Sequence, residues 1–316
     1  LSIGRKWVSA PYNVDGWRLD VAADLGYSPE YNHYFWKRFR EEVKKANPDA
    51  IILAEHYGDS YEWLQGDQWD TIMNYDAFME PVTWFLTGME KHSDEARPDS
   101  YGNPDYFFGA MHHNMARMGG QSVAISMNEL SNHDHSRFLT RTNRTVGRTN
   151  TLGPEAANNN VNKAVFKEAV VMQMTLPDEA GVCGFTDPDN RRTYPWGHED
   201  TELIDFHRVA IKMHKENDVL RKGSYKSLYS AYNVVAYGRF TSDDAAIIIV
   251  NNNDDEVRAR IPAWEVGLGF DDDVEQLLVT FEGGYSTDGL GYHLQNGWLD
   301  IGLRKTSAVV LHKMKW

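Results

Sequence analysis

The stretch Asp15-Gly16-Trp17-Arg18-Leu19-Asp20 decides the fold, because it has the pattern of a short β-strand that ends in a carboxylate. Residues 50–54 form a continuous apolar run that predicts a second, buried strand ending just before Glu55. Between the two strands, residues 28–46 show helical spacing and predict an amphipathic helix whose buried face is formed by Tyr31, Phe35, Phe39 and Val43. The result is a β-α-β unit with Asp20 and Glu55 at the same end of neighbouring parallel strands.

Strands and helices continue to alternate after this unit. Strands are predicted for residues 69–75 and 122–127, and helices for residues 77–91, 105–118, 161–174 and 201–217. This alternation indicates a parallel α/β architecture, either a barrel or a doubly wound sheet. From about residue 223 onward the chain changes to short β-rich runs separated by turns, which predicts a small antiparallel sandwich. We therefore predict a catalytic α/β domain over residues 1–220 and an all-β domain over residues 221–316.

The composition limits the partners of the protein. Its 46 acidic and 32 basic residues give a formal charge of −14, which disfavours nucleic acids and anionic membranes because both repel a polyanion. A neutral ligand fits this charge better. The many Trp and Tyr residues supply flat apolar rings with a polar edge, which suit sugars, although such rings equally fill protein cores. The sequence also has no apolar run long enough to cross a bilayer.

Cys183 is the sole cysteine of the sequence. A disulfide within the chain and a zinc site made of cysteines are therefore excluded. A reducing compartment fits this usage, and we expect a cytoplasmic rather than a secreted protein, although many secreted proteins also lack disulfides.

Three carboxylates occupy places where catalysis in a barrel is expected: Asp20, Glu55 and Asp134. In an α/β barrel the carboxyl ends of the strands meet on one face, so the three side chains are expected there together. Retaining glycoside hydrolysis needs an ionised carboxylate as nucleophile and a protonated carboxyl group as acid. Arg18 points to the same side of its strand as Asp20 and favours the ionised form of that carboxylate, whereas the apolar run before Glu55 favours the protonated form. Each residue alone has a structural explanation, but the three in this order favour catalysis.

Three motifs together resemble conserved regions of the α-amylase family of glycoside hydrolases: residues 15–20, Leu53-Ala54-Glu55 and Ser131-Asn132-His133-Asp134. The resemblance implies that Asp20 is the nucleophile, Glu55 the general acid and base, and Asp134 the stabiliser of the transition state. Residues 69–78 and 190–196 are similar to the neopullulanase, cyclomaltodextrinase and maltogenic-amylase branch. The implied fold is a (β/α)8 TIM barrel, represented by its later strands, followed by an all-β C-terminal sandwich.

The resemblance also implies the ligands of the site. The residues expected to bind substrate are Arg18, His133, Asn132, His56 and Tyr75. The expected substrates are α-1,4-linked glucans, namely starch-derived oligosaccharides, pullulan or cyclodextrins. No cofactor is required and no metal ligand is assigned. A structural calcium ion is compatible with the family but cannot be placed on particular residues. A homodimer is expected by analogy with this branch.

Two segments depart from the family pattern. Residues 1–13 contain neither the first barrel strands nor the motif with an Asp and an Asn-His pair that family members carry, so we expect the chain to supply the later part of a barrel. The strand that family members carry before Asp178-Glu179-Ala180-Gly181 is also absent from the sequence. Deleting a buried strand leaves neighbouring backbone groups unpaired at about 1–3 kcal/mol each, so we expect that the sequence omits residues at this point.

Two alternatives stay open. A half barrel exposes a strand edge and an apolar face, so the chain could bind glucan or a complementary chain without catalysis. A metal-dependent barrel hydrolase could instead use His133 and His135 together with Asp20, because His-x-His pairs bind divalent metals.

Overall fold

The computed structural model describes residues 1–176 and 183–314. Its α-helices are α1 (Ser2–Trp7), α2 (Pro29–Ala46), α3 (Glu80–Thr87), α4 (Pro104–Met118), α5 (Gly120–Ala124), α6 (Phe138–Arg141), α7 (Thr149–Leu152), α8 (Lys163–Thr175), α9 (Thr201–Glu216) and α10 (Asp218–Lys222). Its β-strands are β1 (Gly16–Leu19), β2 (Ile51–Ala54), β3 (Thr71–Ile72), β4 (Ser224–Ala231), β5 (Val234–Phe240), β6 (Ala245–Asn251), β7 (Val257–Pro262), β8 (Asp273–Phe281), β9 (Gly284–Ser286), β10 (Gly291–His293), β11 (Trp298–Leu303) and β12 (Ser307–Lys313).

The chain divides into two compact units. The first comprises Leu1–Phe78 and Ala110–Asn128, and the second comprises Met79–Gly109 and Glu129–Trp316. The domain boundary predicted near residue 220 stays a prediction. The expected omission before Asp178-Glu179-Ala180-Gly181 lies outside the described residues. Within the described part of the chain, every helix is too short or too polar to span a bilayer.

A three-stranded parallel sheet forms the centre of the first unit. Its strand order is β1-β2-β3, and Gly16 lies opposite Ile51 at the start of the ladder. A Cβ atom on Gly16 would lie only 2.2 Å from the Ile51 carbonyl oxygen, so this close pairing requires glycine. The predicted β-α-β unit is therefore confirmed.

Helix α2 packs on this sheet with a different face from the one predicted. Ser28 accepts a hydrogen bond from the Tyr31 backbone N–H and caps the helix, and Pro29 occupies its first position. The buried side chains are Asn32, Trp36, Phe39 and Val43, whereas Tyr31 is exposed. The aromatic repeat therefore predicted the helix correctly but missed half of its buried face, because Trp36 and the polar Asn32 occupy it.

The strand predicted for residues 122–127 is wrong. This segment forms the short helix α5, and Met127 makes a single parallel bridge with Met73. Ser122 explains the difference, because its carbonyl accepts from Thr71 Oγ1 and its own Oγ donates to the Asp70 carbonyl, each at 2.8 Å. These side-chain hydrogen bonds dock the segment in place of a strand ladder.

The second unit contains helices α8 and α9 and the all-β region. The larger antiparallel sheet has the order β10-β8-β12-β6-β5-β4, and β11 pairs with β7 in a second sheet. Both sheets contribute to one apolar core, with Ile247 and Ile249 from the first and Ile261 and Ile301 from the second. The predicted antiparallel sandwich is thus confirmed.

Asp70 links helix α2 to the sheet of the first unit and provides a test of its stability. Its carboxylate contacts Arg40 at 2.7 Å and Lys44 at 2.9 Å and accepts from the Ile52 N–H at 2.8 Å. Burial raises the pKa of Asp70, but the hydrogen bonds from Lys44 and Arg40 outweigh it, so the pKa lies below its ordinary value.

We predict that Asp70→Asn lowers the free energy of unfolding by about 3 kcal/mol at pH 7, because it leaves two cations without their partly buried partner. The depressed pKa makes the carboxylate stabilising above the unfolded-state value of about 3.9, and this contribution is lost as the pH falls through the folded-state pKa. Urea unfolding should therefore give curves for wild type and variant that converge in acid. Asp67→Asn, which removes the exposed partner of Lys37, is the control and should change stability by less than about 1 kcal/mol. A constant difference at all pH values would contradict the assignment.

Candidate active site

Asp20 and Glu55 stand side by side at the carboxyl ends of β1 and β2. The ladder pairs Leu19 with Ala54, so the next residues on the two strands are these carboxylates. The Glu55 N–H extends the ladder by donating to the Leu19 carbonyl at 2.9 Å. Parallel pairing therefore places both acids at one edge of the sheet, as the sequence predicted.

Arg18 contacts both carboxylates. Its Nη1 donates to Asp20 Oδ1, and its Nη2 lies 3.1 Å from Glu55 Oε2. Partial burial lowers the pKa of Arg18, but the hydrogen bond to Asp20 and the charge of Glu55 raise it above its ordinary value. A single fixed cation thus offsets the repulsion between two neighbouring acids.

The two carboxylates differ in their exposure. The Asp20 side chain is 75% exposed, whereas Glu55 is only 8% exposed. Glu55 Oε2 also accepts from the Val21 N–H at 3.0 Å, so this oxygen faces two donors. Glu55 Oε2 therefore acts as the acceptor of both contacts.

The other predicted residues of the first unit lie among aromatic rings. His56 contacts the Asp59 carbonyl at 3.2 Å and packs near Trp63. Tyr75 is fully buried under Tyr57, whose ring stacks on it at 4.3 Å and is 40% exposed. Tyr57, two residues after Glu55, was not among the predicted site residues. Substrate binding by His56 and Tyr75 stays a prediction.

Asn132, His133 and Asp134 lie together in the second unit. The Asn132 side chain accepts from the Asp134 N–H at 2.9 Å and donates to Glu129 Oε1 at 2.8 Å, which fixes a tight turn. His133 Nε2 lies 3.3 Å from Asp134 Oδ1. The turn presents a carboxylate and an imidazole that are both partly exposed and able to contact a ligand.

Residues 184–191 make hydrogen bonds and an ion pair with this turn. Thr186 Oγ1 donates to the Asp134 carbonyl at 2.8 Å, and Asn190 Nδ2 donates to the His135 carbonyl at 2.6 Å. Arg191 Nη2 lies 3.6 Å from Asp134 Oδ1. The sequence suggested the Asn190-Arg191 segment only by its resemblance to a family branch, and its contacts with the turn could not be predicted from spacing.

His135 differs sharply from His133. It is fully buried beside the His92 ring, and burial lowers its pKa to about 2. In residues 1–176 and 183–314, no group of three or more His, Cys, Asp or Glu side chains is arranged to hold a metal ion. The metal-dependent alternative therefore gains no support from the described geometry.

Sequence comparison agrees with this geometry. Residues 1–161 match the model of the alpha-amylase catalytic domain. The chain belongs to the alpha-amylase family. The predicted family, whose members are glycoside hydrolases, is confirmed.

Individual relatives agree with the branch that the motifs resemble. The chain is 32% identical over 255 residues to neopullulanase 2 of Thermoactinomyces vulgaris. The alignment covers 76% of this chain and 37% of that protein. It is 31% identical over 260 residues to an amylopullulanase of Thermoanaerobacterium saccharolyticum. This alignment covers 75% of this chain and 19% of that protein. A solved cyclomaltodextrinase structure superposes with a TM-score of 0.74 at 25% identity, over 99% of this chain and 48% of that one.

These comparisons confirm the fold class, that of TIM-barrel glycosidases with a C-terminal all-β region. The chain spans 19% and 37% of the length of the two curated relatives. The activity and substrates of the whole protein are therefore proposals.

We predict that Asn190→Ala lowers the free energy of unfolding by about 1–3 kcal/mol, because it leaves buried carbonyls of the Asp134 turn without their donor. Urea unfolding measures this loss. The neighbouring Arg192→Ala, which removes an exposed side chain, is the control and should stay within about 0.5 kcal/mol of wild type. Equal effects of the two substitutions would contradict a specific role for Asn190.

Proposed function

We propose that this protein is a retaining glycoside hydrolase that cleaves α-1,4-glucosidic bonds in starch-derived oligosaccharides, pullulan or cyclodextrins. The observation that carries the proposal is the contact of Arg18 with both Asp20 and Glu55 at the ends of adjacent strands. Retaining hydrolysis uses two such acids in different protonation states. Their unequal exposure supports the division of roles.

In the first step an oxygen of Asp20 attacks the anomeric carbon of the glucan. The bond from that carbon to the glycosidic oxygen breaks, and the proton on Glu55 Oε1 passes to the leaving oxygen. Arg18 stays bound to both acids, so it stabilises the negative charge of the Asp20 carboxylate until the glycosyl ester forms.

In the second step Glu55, now ionised, removes a proton from water. The water oxygen bonds to the anomeric carbon, the ester to Asp20 breaks, and both carboxyl groups return to their starting states. Asp134, with His133 and Asn132, is proposed to hydrogen-bond sugar hydroxyls during both steps. His56 is proposed to border the same sugars, and the buried Tyr75 ring is proposed to support them through Tyr57, which stacks on it. The protein is further proposed to need no cofactor, to be cytoplasmic and to form a homodimer.

A second function has one observation in its favour. Because the chain spans 37% or less of the two curated relatives, it could bind glucan without turnover when produced by itself. Affinity electrophoresis in gels containing soluble starch measures binding separately from release of reducing sugar. Binding without release favours this second function over hydrolysis.

We predict that Asp20→Asn and Glu55→Gln each reduce hydrolysis of soluble starch, pullulan and β-cyclodextrin by at least about a thousandfold. Retarded migration in starch gels should persist in both variants, since neither change removes a side chain. Asp24→Asn, at an acid in the segment that follows β1, is the matched control. Full activity in either catalytic variant would refute the proposed roles, and products from pullulan would show which bonds are cut.

A further inference from the structure

The segment after β1 is held by one buried amide side chain. Asn32, on the first turns of α2, is 2% exposed. Its Nδ2 group is shared among three carbonyls of this segment, those of Ala22 at 3.0 Å, Ala23 at 3.0 Å and Leu25 at 2.9 Å. Its Oδ1 accepts from Trp63 Nε1 at 2.8 Å. Asn32 therefore uses both ends of its amide to close the turn that follows Asp20.

Val21, the first residue of this turn, has an unusual backbone. Its φ of 44° and ψ of 43° lie in the left-handed region, which is strained for a β-branched residue. This conformation accompanies the hydrogen bond from the Val21 N–H to Glu55 Oε2. The surroundings must hold such a conformation in place, and the Asn32 hydrogen bonds to the next residues do so.

We propose that Asn32 is a positioning residue for catalysis. It fixes the left-handed turn at Val21, whose N–H then holds Glu55 Oε2 and leaves Oε1 to deliver the proton. The inference rests on the proposed function, because it assigns how the acid of that reaction is oriented. Asn32 acts through Val21 and Glu55 and makes no contact with the reacting atoms.

The chemistry of the amide explains why asparagine is needed. Aspartate has nearly the same shape, but its carboxylate cannot donate to carbonyls and would face three of them. Trp36 Nε1 also donates to the Ala22 carbonyl at 2.8 Å, so one carbonyl of the turn keeps a donor when Asn32 is replaced. The turn is therefore expected to loosen rather than to unfold.

The first experiment measures orientation without requiring activity. In protein labelled with 15N-valine, the Val21 amide signal is assigned by its loss in Val21→Ala. Glu55→Gln should shift this signal when Asn32 is present, because it changes the acceptor of the Val21 N–H. The same substitution should leave the signal unmoved in the Asn32→Ala and Asn32→Asp backgrounds. A shift of wild-type size in those backgrounds would overturn the proposal.

The second experiment separates acid catalysis from binding. Hydrolysis of maltooligosaccharides needs a proton on the leaving oxygen, whereas fluoride leaves from α-maltosyl fluoride with little need for one. Asn32→Asp should lower kcat on maltooligosaccharides by about tenfold or more and kcat on the fluoride by less than about threefold. KM should change little. Equal losses on the two substrates would contradict a role in positioning the acid.

Two further variants provide an alternative to Asn32→Asp and a control. Trp63→Phe removes the donor to Asn32 Oδ1 and keeps an aromatic ring beside Trp69. It should show the same pattern more weakly if Asn32→Asp fails to fold. Gln68→Ala removes another buried amide of the same unit that does not contact the turn. It should leave the ratio of kcat on maltooligosaccharides to kcat on the fluoride unchanged. If wild type cleaves neither substrate, the proposed function fails, and the Val21 signal alone decides the role of Asn32.

Discussion

The contact of Arg18 with Asp20 and Glu55 is the interaction on which the rest of the site depends. Parallel strands bring two acids together at one sheet edge, where mutual repulsion would push one of them to take up a proton. The Arg18 guanidinium lies against both carboxylates and offsets this repulsion, although one of them is exposed and the other is buried. Strand register brings the two acids together, because Leu19 and Ala54 lie opposite each other just before them.

The sequence predicted those features that follow from short-range periodicity. The β-α-β unit, the sandwich and the side-by-side placement of Asp20 and Glu55 could be predicted, because they rest on short apolar runs, on turn residues and on one helical repeat. The segment around Ser122 could not, since hydrogen bonds from Thr71 and to Asp70 override its apolar pattern. The buried face of α2 was also missed in part, because Asn32 is polar and periodicity assigns polar residues to solvent.

Asn32 shows why a buried polar residue is informative about function. A polar side chain in a core is tolerated when its hydrogen bonds are satisfied, and Asn32 satisfies its own by binding backbone that has no regular partner. The backbone in question carries the strained Val21 and continues from Asp20. The buried amide of Asn32 is therefore part of the core of this unit and, as proposed, also positions Glu55 through the turn at Val21.

In the proposed reaction Asp20 forms a covalent bond to the sugar. Treating the protein with a ring-fluorinated α-glucosyl fluoride traps this bond, because the reagent forms the glycosyl ester but slows its hydrolysis, and peptide mass spectrometry then locates it. We expect one added glycosyl group, carried by the peptide that contains Asp20 and absent in Asp20→Asn. A label on another carboxylate, or turnover of starch with the peptide unlabelled, would contradict it.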